Sequence, residues 1–274
     1  MPIVISPNLV QGGGASSGGG VKTDPCIAFI GYDNYIYRGA EITASSAVSG
    51  FPVSALYNPL TYERWLASST DSDPTVTIDL GANQDINYVA IGAHTLHSSS
   101  ATEVIVESSI DANDWDLVEA VNTSSNNALM FVFKPITARY WRIRLGAASE
   151  IGSIYIGEVL QMPVQMYGGH TPGTLARQTV VNNNESVAGQ FLGRSIVRQG
   201  YATDYTWKRM PALWYRINFD PFVEHATKYP FFIAWNYNTF ADEVLYGWTT
   251  DDIAPTNMGV RDLMQVSMSV EAVR

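Results

Sequence analysis

Arg139-Tyr140-Trp141-Arg142-Ile143-Arg144-Leu145 is the stretch that decides the fold class. Its residues alternate: Trp141, Ile143 and Leu145 fall on one face of an extended chain, and Tyr140, Arg142 and Arg144 on the other. Upstream, Thr75-Val76-Thr77-Ile78-Asp79-Leu80-Gly81 has the same rhythm and puts Val76, Ile78 and Leu80 on one side. Strands with one apolar face each need a second sheet to cover them, so the pattern predicts a β-sandwich.

The chain has 274 residues, enough for one large or two ordinary domains. Hydrophobic residues make up 46%, which supplies real cores, while charged residues are only 15%, well below the usual quarter. Low charge with 12% aromatics suggests a surface covered by neighbouring subunits, or else a β-rich surface carpeted with Ser, Thr and Asn. Net charge is -10 and uneven: residues 1–160 hold 16 acidic and 7 basic groups, residues 161–274 hold 10 and 9. Two modules of different character are expected. Nothing resembles the basic footprint of a nucleic-acid binder. The single cysteine, Cys26, excludes an internal disulfide and a cysteine-rich zinc site. No apolar run approaches a membrane span, and Met1-Pro2-Ile3-Val4-Ile5-Ser6 does not read as a secretion signal.

Taken in order, residues 1–25 pair a short apolar piece, Ile3-Val4-Ile5, with the run Gly12 to Gly20, a Gly/Ser-rich flexible arm. An apolar tip on such a leash is suited to adding a strand to a neighbouring subunit, which makes Ile3 and Ile5 candidate interface residues; a disordered terminus is the alternative. Residues 26–160 read as many short strands, among them Ile27–Ile30, Glu41–Ala47, Tyr88–Ala93, Glu103–Ser108, Leu129–Phe133 and Ile154–Val159. Turn-rich segments such as Asp71-Ser72-Asp73-Pro74 and Asp111-Ala112-Asn113-Asp114 separate them.

The order of these features resembles the discoidin, or coagulation-factor type C, family of galactose-binding-like jelly rolls. Thr77-Ile78-Asp79-Leu80-Gly81 is similar to that family's strand end. Val104 to Asp111 with Trp115 four residues on resembles its hairpin. Ala138-Arg139-Tyr140-Trp141-Arg142-Ile143 and Ile154 to Val159 resemble its last strands. Ala112 replaces the hairpin glycine, and the disulfide that often ties that fold's ends is impossible here. The resemblance implies a sandwich whose ligands are held on variable loops.

Residues 161–185 read as a linker, with Arg177–Val181 a short strand inside it. Residues 186–274 then form a second all-β module, with strands expected over Val187–Gln199, Tyr205–Phe219, Phe231–Trp235, Glu243–Trp248 and Leu263–Val270. Asp220-Pro221-Phe222-Val223-Glu224-His225-Ala226 reads as one short helix, with Asp220 as N-cap and Pro221 in the first turn. This plan is similar to the tail-tube and distal-tail β-sandwiches of long-tailed phages. Phe191 to Ser195, Phe231 to Trp235 and Tyr246-Gly247-Trp248-Thr249 resemble minor tail proteins with a discoidin-like front end.

Candidate chemistry is sparse. Gly14-Ala15-Ser16-Ser17-Gly18 fits a nucleophile-elbow pattern but lies in the tether. His94 and His97 could share a turn or grip a sugar hydroxyl; a zinc site would want further ligands. Asp71, Asp73 and Asp79 could offer oxygens to calcium, or be ordinary turn and strand residues. Trp65 and Trp115 could be stacking platforms for a sugar ring, or core tryptophans. Trp214 and Arg216, on an expected strand, suit a subunit interface. The acidic pairs Asp242-Glu243 and Asp251-Asp252 are adjacent, so on a strand they would diverge; no glycosidase site, and no enzyme, is expected. No cofactor and no metal is expected.

The resemblance implies a structural virion protein of the tail tip or baseplate, assembled in the host cytoplasm. Its expected partners are sister copies in a ring, the tail tube, hub and fibre proteins, and host surface polysaccharide; neither nucleic acid nor membrane insertion is expected. The alternative is a dedicated carbohydrate-binding protein for adhesion.

Overall fold

The computed structural model describes residues 3–5, 27–237, 239–240, 243–259 and 261–273; of 3–5 the backbone alone is described. The glycine run 12–20, Cys26 and Asp242 lie outside these residues. In chain order the strands are β1 (Ile3–Ile5), β2 (Phe29–Gly31), β3 (Glu41–Ala44), β4 (Trp65–Leu66), β5 (Thr75–His94), β6 (Glu103–Ser109), β7 (Asp116–Asn122), β8 (Leu129–Leu145), β9 (Glu150–Gly157), β10 (Leu160–Gln161), β11 (Arg177–Glu185), β12 (Phe191–Pro211), β13 (Phe231–Ala234), β14 (Val244–Thr249), β15 (Pro255–Asn257) and β16 (Leu263–Ala272). They make two mainly antiparallel sheets of eight strands each.

The first sheet runs β4-β9-β5-β8-β6-β7, with β3 paired to β5 and β1 to β8. It closes on itself because β5 and β8 are long and bend together. Their register breaks between Asp79 and Gln84 and again between Ile86 and Tyr88, and Gly81 takes the left-handed φ of 77° that the bend requires. The first arm of this bent ribbon pairs Thr75–Asp79 with Tyr140–Arg144, and the second pairs Tyr88–Ile91 with Leu129–Val132. The two arms become the two layers of a sandwich. Val76, Ile78, Trp141, Ile143 and Leu145 from one layer meet Val89, Ile91, Phe131, Phe133, Ile154 and Ile156 from the other in one buried cluster. The all-β sandwich is as the alternation predicted, and its jelly-roll form is as the resemblance implied.

The second layer is buried on both faces. Tyr88, Ala90, Met130, Val132 and Tyr155 point away from the sandwich core and pack against Phe29, Phe232, Ala234, Val244 and Tyr246 of the second sheet. That sheet is ordered β10-β2-β13-β14-β16-β12-β11, with β15 on β16. Its other face carries a third cluster, Trp207, Tyr205, Met268, Val270 and Phe231 with Phe219 and Phe222 of a helical segment.

Several sequence expectations meet corrections. Phe29–Gly31, read with the front module, pairs with β13 in the second sheet, and Leu160–Gln161 pairs with it there. The front sandwich is therefore bracketed by strands of the other sheet. Residues 177–185, read mostly as linker, form a strand paired with β12 along its whole length. The expected strand over Tyr205–Phe219 ends at Pro211. Beyond it run an α-turn at Ala212–Trp214, a π-turn at Tyr215–Phe219 and a helix at Asp220–Ala226. Tyr215, Phe219, Phe222 and Ala226 are buried at helical spacing, so burial of that stripe overrides the local strand reading. Asp220 lies inside this helical run and does not cap it. Trp214 and Arg216 accordingly sit on a helical turn, where Arg216 Nη1 donates to the Ala212 carbonyl at 2.8 Å. The tip Ile3–Ile5 adds a strand as expected, but in parallel to Met130–Val132 of its own chain.

Close approach of the two sheets depends on small residues. A Cβ on Gly92 would stand 2.9 Å from Tyr246 Cγ and 3.1 Å from Phe232 Cζ. Gly92→Ala is expected to destabilise the protein by about 1–3 kcal/mol, the usual overpacking cost. Gly168→Ala, where a Cβ would meet nothing within 4 Å, is expected to be near neutral. Urea unfolding of the two variants compares them; equal midpoints would contradict the tight seam.

Candidate ligand-binding site

Strand direction sorts the loops into two ends. The bend at 79–84, the hairpin 110–115 and the segment around Asp33 lie at the end where the sandwich joins its neighbours in sequence. There the Asn34 side chain donates to the Ile154 carbonyl at 3.2 Å, and its Oδ1 accepts from the Ile36 and Ile156 amides. The segments 45–74, 95–102 and 123–128 lie at the opposite end.

Trp115 belongs to the first end. Its ring is covered by the Arg142 guanidinium, 4.1 Å from the centroid, and Arg142 Nε in turn donates to Glu107 at 2.7 Å. Trp65 lies at the opposite end, wholly within the core at 0% exposure, with its indole N–H donated to the Ser46 carbonyl at 2.9 Å. It presents no face to a ligand, and the packing reading of Trp65 holds. His94 and His97 diverge. His97 is exposed, and its backbone N–H donates to Asn126 Oδ1 at 3.0 Å. His94 is buried, and its imidazole has no well-formed hydrogen bond, only a looser contact with the Asn127 backbone. Burial holds its pKa down to about 4, with the Asn127 backbone offsetting part of the effect. The four residues therefore do not converge on one site.

The aspartates do not converge either. Asp71 accepts the hydroxyls of Ser45 and Ser46 at 2.6 and 2.7 Å; these bonds lower its pKa. Asp79 is held by Arg139 in a two-pronged ion pair at 2.7 and 2.8 Å. Among the described residues no group of three or more His, Cys, Asp or Glu is placed to hold a metal. Glu243 accepts the Trp235 indole N–H at 2.5 Å.

What the far end does offer is an aromatic platform that sequence patterning missed. A short 3-10 helix, Val53–Tyr57, and the loop after it present Tyr62, 75% exposed, beside Phe51, 39% exposed. A shallow depression of about 370 Å³ lies between Gly50, Phe51, Pro52, Tyr62, Glu63 and Arg64. The loop is internally braced. Asn58 donates to Glu63 at 2.7 Å and accepts from the Leu60 amide at 2.8 Å. Arg64 Nε donates to the Thr61 carbonyl at 3.1 Å, and its Nη1 pairs with Glu150 at 2.9 Å. The Tyr57 hydroxyl accepts the Ile42 amide at 2.7 Å, anchoring the loop to β3. Rings able to cover apolar C–H faces beside a carboxylate and a guanidinium make a surface suited to a polyhydroxylated ligand.

Behind Arg64 lies a second cavity of about 230 Å³. His94, Thr95, Asn126 and Asn127 of the sandwich face Tyr201, Val244 and Tyr246 of the second sheet across it. Arg64 lines both spaces.

With the jelly roll and its loop end in place, comparison with known proteins is informative. The sequence of residues 41–156 matches the F5/8 type C domain. This region is a discoidin-like domain. No curated protein matches the chain. Among solved structures, chitosan-binding module 1 of a chitosanase/glucanase from Paenibacillus sp. IK-5 is 19% identical, with a TM-score of 0.41 over 46% of this chain and 98% of that one. The Clostridium perfringens module CpGH89CBM32-5, solved with GalNAc-β-1,3-galactose, is 14% identical, with a TM-score of 0.40 over 46% of this chain and 100% of that one. The family 32 carbohydrate-binding module of C. perfringens NanJ, solved with galactose, is 16% identical, with a TM-score of 0.38 over 47% and 98%.

The discoidin-like domain should lose stability in acid through His94. Its folded pKa of about 4 lies below the ordinary 6.5, so the unfolded chain takes up the proton first as pH falls. Stability is complete above about pH 6.5 and declines until about pH 4, by on the order of 3 kcal/mol for a shift of this size. His225, also lowered to about 4 by burial, adds in the same direction. Denaturant midpoints at pH 7, 5.5 and 4 measure the slope; His94→Gln should flatten it, and an unchanged slope in that variant would remove His94 from the account.

Proposed function

We propose that this chain is a non-enzymatic glycan-binding protein whose discoidin-like domain engages carbohydrate with the loop end formed by Phe51, Tyr62, Glu63 and Arg64. The observation that carries this reading is the exposed Tyr62 ring set next to a braced guanidinium and carboxylate. A pyranose presents an apolar face of axial C–H bonds and a rim of hydroxyls. An aromatic ring suits the first, and charged planar groups suit the second. Loops on a rigid sandwich are where a binding protein places such groups. The solved structures named with sugars or chitosan binding agree with this class of ligand, which remains theirs by name only.

A second feature favours the fuller reading, that copies of the chain assemble as part of a virion tail tip. Residues 177–185 and 191–200 pair only with each other among the described strands, so this ribbon projects beyond the second sheet. It exposes Phe191 and Leu192 at 65% each, with Ile196 and Val197 close behind. It also carries Arg177, Arg194 and Arg198 against the single acid Glu185, in a chain whose net charge is -10. A two-stranded ribbon with bare apolar residues is marginal alone. An acidic surface on a sister subunit would cover it and match its sign, which gives a closed ring. On this reading the tail tube, hub and fibre proteins are the neighbours, and host surface polysaccharide is what the loop end touches. The interface is assigned to the ribbon; Trp214 and Arg216, the candidates from sequence, follow the opposite end of β12, and Ile3–Ile5 is engaged within its own chain.

Glycan-array binding by the full chain tests the first part. Tyr62→Ala is expected to reduce binding at least tenfold with an unchanged melting temperature, as loss of one stacking face implies, while Trp115→Ala leaves binding unchanged. No binding to any glycan by the folded protein sinks the reading. The mass in solution tests the second: replacing Phe191 and Leu192 by Ser is expected to turn a cyclic oligomer into monomers, and a wild-type monomer at all concentrations would refute the ring.

A further inference from the structure

The two sheets end in long edges of opposite charge. Among the described strands, β7 at the end of the first sheet pairs with β6 alone, and β11 at the end of the second pairs with β12 alone. β1 approaches β7 but pairs with β8, so the outer edge of β7 has no strand partner. The strands at the opposite ends, β4 and β10, have two residues each, whereas β7 has seven and β11 has nine. An edge of that length is a template for another strand unless charge or cover prevents it. The β6-β7 hairpin, residues 103–122, holds six acidic residues and no Lys or Arg. Glu107 is answered by Arg142 at 2.7 Å, and Asp111 spends its carboxylate on the Asn113 and Asp114 amides at 2.9 and 3.1 Å. Asp114 and Asp116 are exposed, and neither has an ion-pair partner among the described residues. Ile110 and Leu117 stand bare beside them, at 68% and 65% exposure.

We propose that the acidic edge of β7 is the surface on a sister copy that receives β11, the two strands pairing edge to edge so that the second sheet of one copy continues into the first sheet of the next. The inference rests on the ring reading above and names the surface that the ribbon meets. Arg177 is exposed with no carboxylate partner among the described residues. Arg194 reaches across β11, where its Nε donates to the neutral Asn183 Oδ1 at 2.8 Å, so its charge stands toward the free edge unanswered. The exposed Val180 and Ile196 of the ribbon give Ile110 and Leu117 an apolar counterpart. Charge also selects the pairing. Two β7 edges would set Asp114 and Asp116 against their own kind, and two β11 edges would do the same with arginine; only β7 against β11 brings opposite signs together. A contact between two different patches of the same chain is head-to-tail, the kind that builds a ring when its rotation closes. Main-chain hydrogen bonds supply the attachment, and the side chains choose the partner.

Charge reversal in the full chain, read by light scattering, is the test. Asp114→Arg with Asp116→Arg is expected to lower the mass to that of a single chain, and so is Arg177→Glu with Arg194→Glu, each with the wild-type melting temperature. All four changes in one chain restore the attraction with its sign inverted, and the wild-type mass is expected to return. An oligomer that survives reversal at β7, or a fourfold variant that stays monomeric, overturns the docking of β11 on β7 and leaves the ring reading standing; a wild-type protein that is monomeric removes both. Should a reversed variant fold poorly, hydrogen exchange on the wild-type protein decides. Amides at 117–122 that face the free edge are expected to exchange roughly tenfold or more slowly in the oligomer than in the Phe191→Ser, Leu192→Ser variant, and equal exchange overturns the proposal.

Discussion

Burial of aromatic rings between two sheets is the constraint on which the rest of the molecule depends. Tyr155 stands 5.2 Å from Phe232 and 6.0 Å from Tyr246 by ring centroids, both in edge-on contact. Phe232 and Tyr246 lie against each other at 4.6 Å. Such pairs add directional preference to the area they bury. Two hydroxyls of the seam are tied off: that of Tyr155 donates to the Pro230 carbonyl at 2.7 Å, and that of Tyr88 to the Asp33 carbonyl. Desolvation raises the pKa of Tyr88, Tyr155 and Tyr246, so they stay neutral and the seam carries no charge.

A layer covered on both faces fixes where function can sit. The middle layer, made by the second arms of β5 and β8 with β9, has no solvent face to offer. The outer layer carries its ions in local pairs, Arg139 with Asp79 and Arg142 with Glu107. Binding groups are left to the loops, and the loops at the end away from the chain crossings are free to vary. Tyr62, Phe51 and Arg64 lie there, on a scaffold held by Trp65 beneath and by Glu150 beside. The cleft at His94 exists because the second sheet ends alongside the same loops.

The two sheets differ in how complete they are. The discoidin-like domain closes its own core and exposes mostly polar loops. The second sheet buries its inner faces but extends β11 and β12 into a ribbon with bare Phe191, Leu192, Ile196 and Val197. The front sandwich still needs the second sheet to cover Tyr88, Met130 and Tyr155, whereas nothing in the chain's described residues covers the apolar tip of the ribbon.

The sequence by itself determined the periodic part. Period-two alternation at 75–80 and 139–145 marked a layer with one wet face. The segments at 88–93 and 129–133 read only as strands, and it is the second sheet that covers their other face. The Tyr215, Phe219, Phe222 and Ala226 stripe was also present in the residue order, though its aromatics equally suit a strand and only the burial of that face favours the helix. Tertiary structure alone decided three things. It paired Phe29–Gly31 with Phe232–Ala234 some two hundred residues away, since a sheet edge is chosen by long-range fit that local pattern does not encode. It sent Trp65 inward and Tyr62 outward, since an aromatic is equally competent to pack or to stack and only its surroundings choose. And it enclosed His94 between two sheets, since no feature of a histidine three residues from another foretells that a distant strand will roof it.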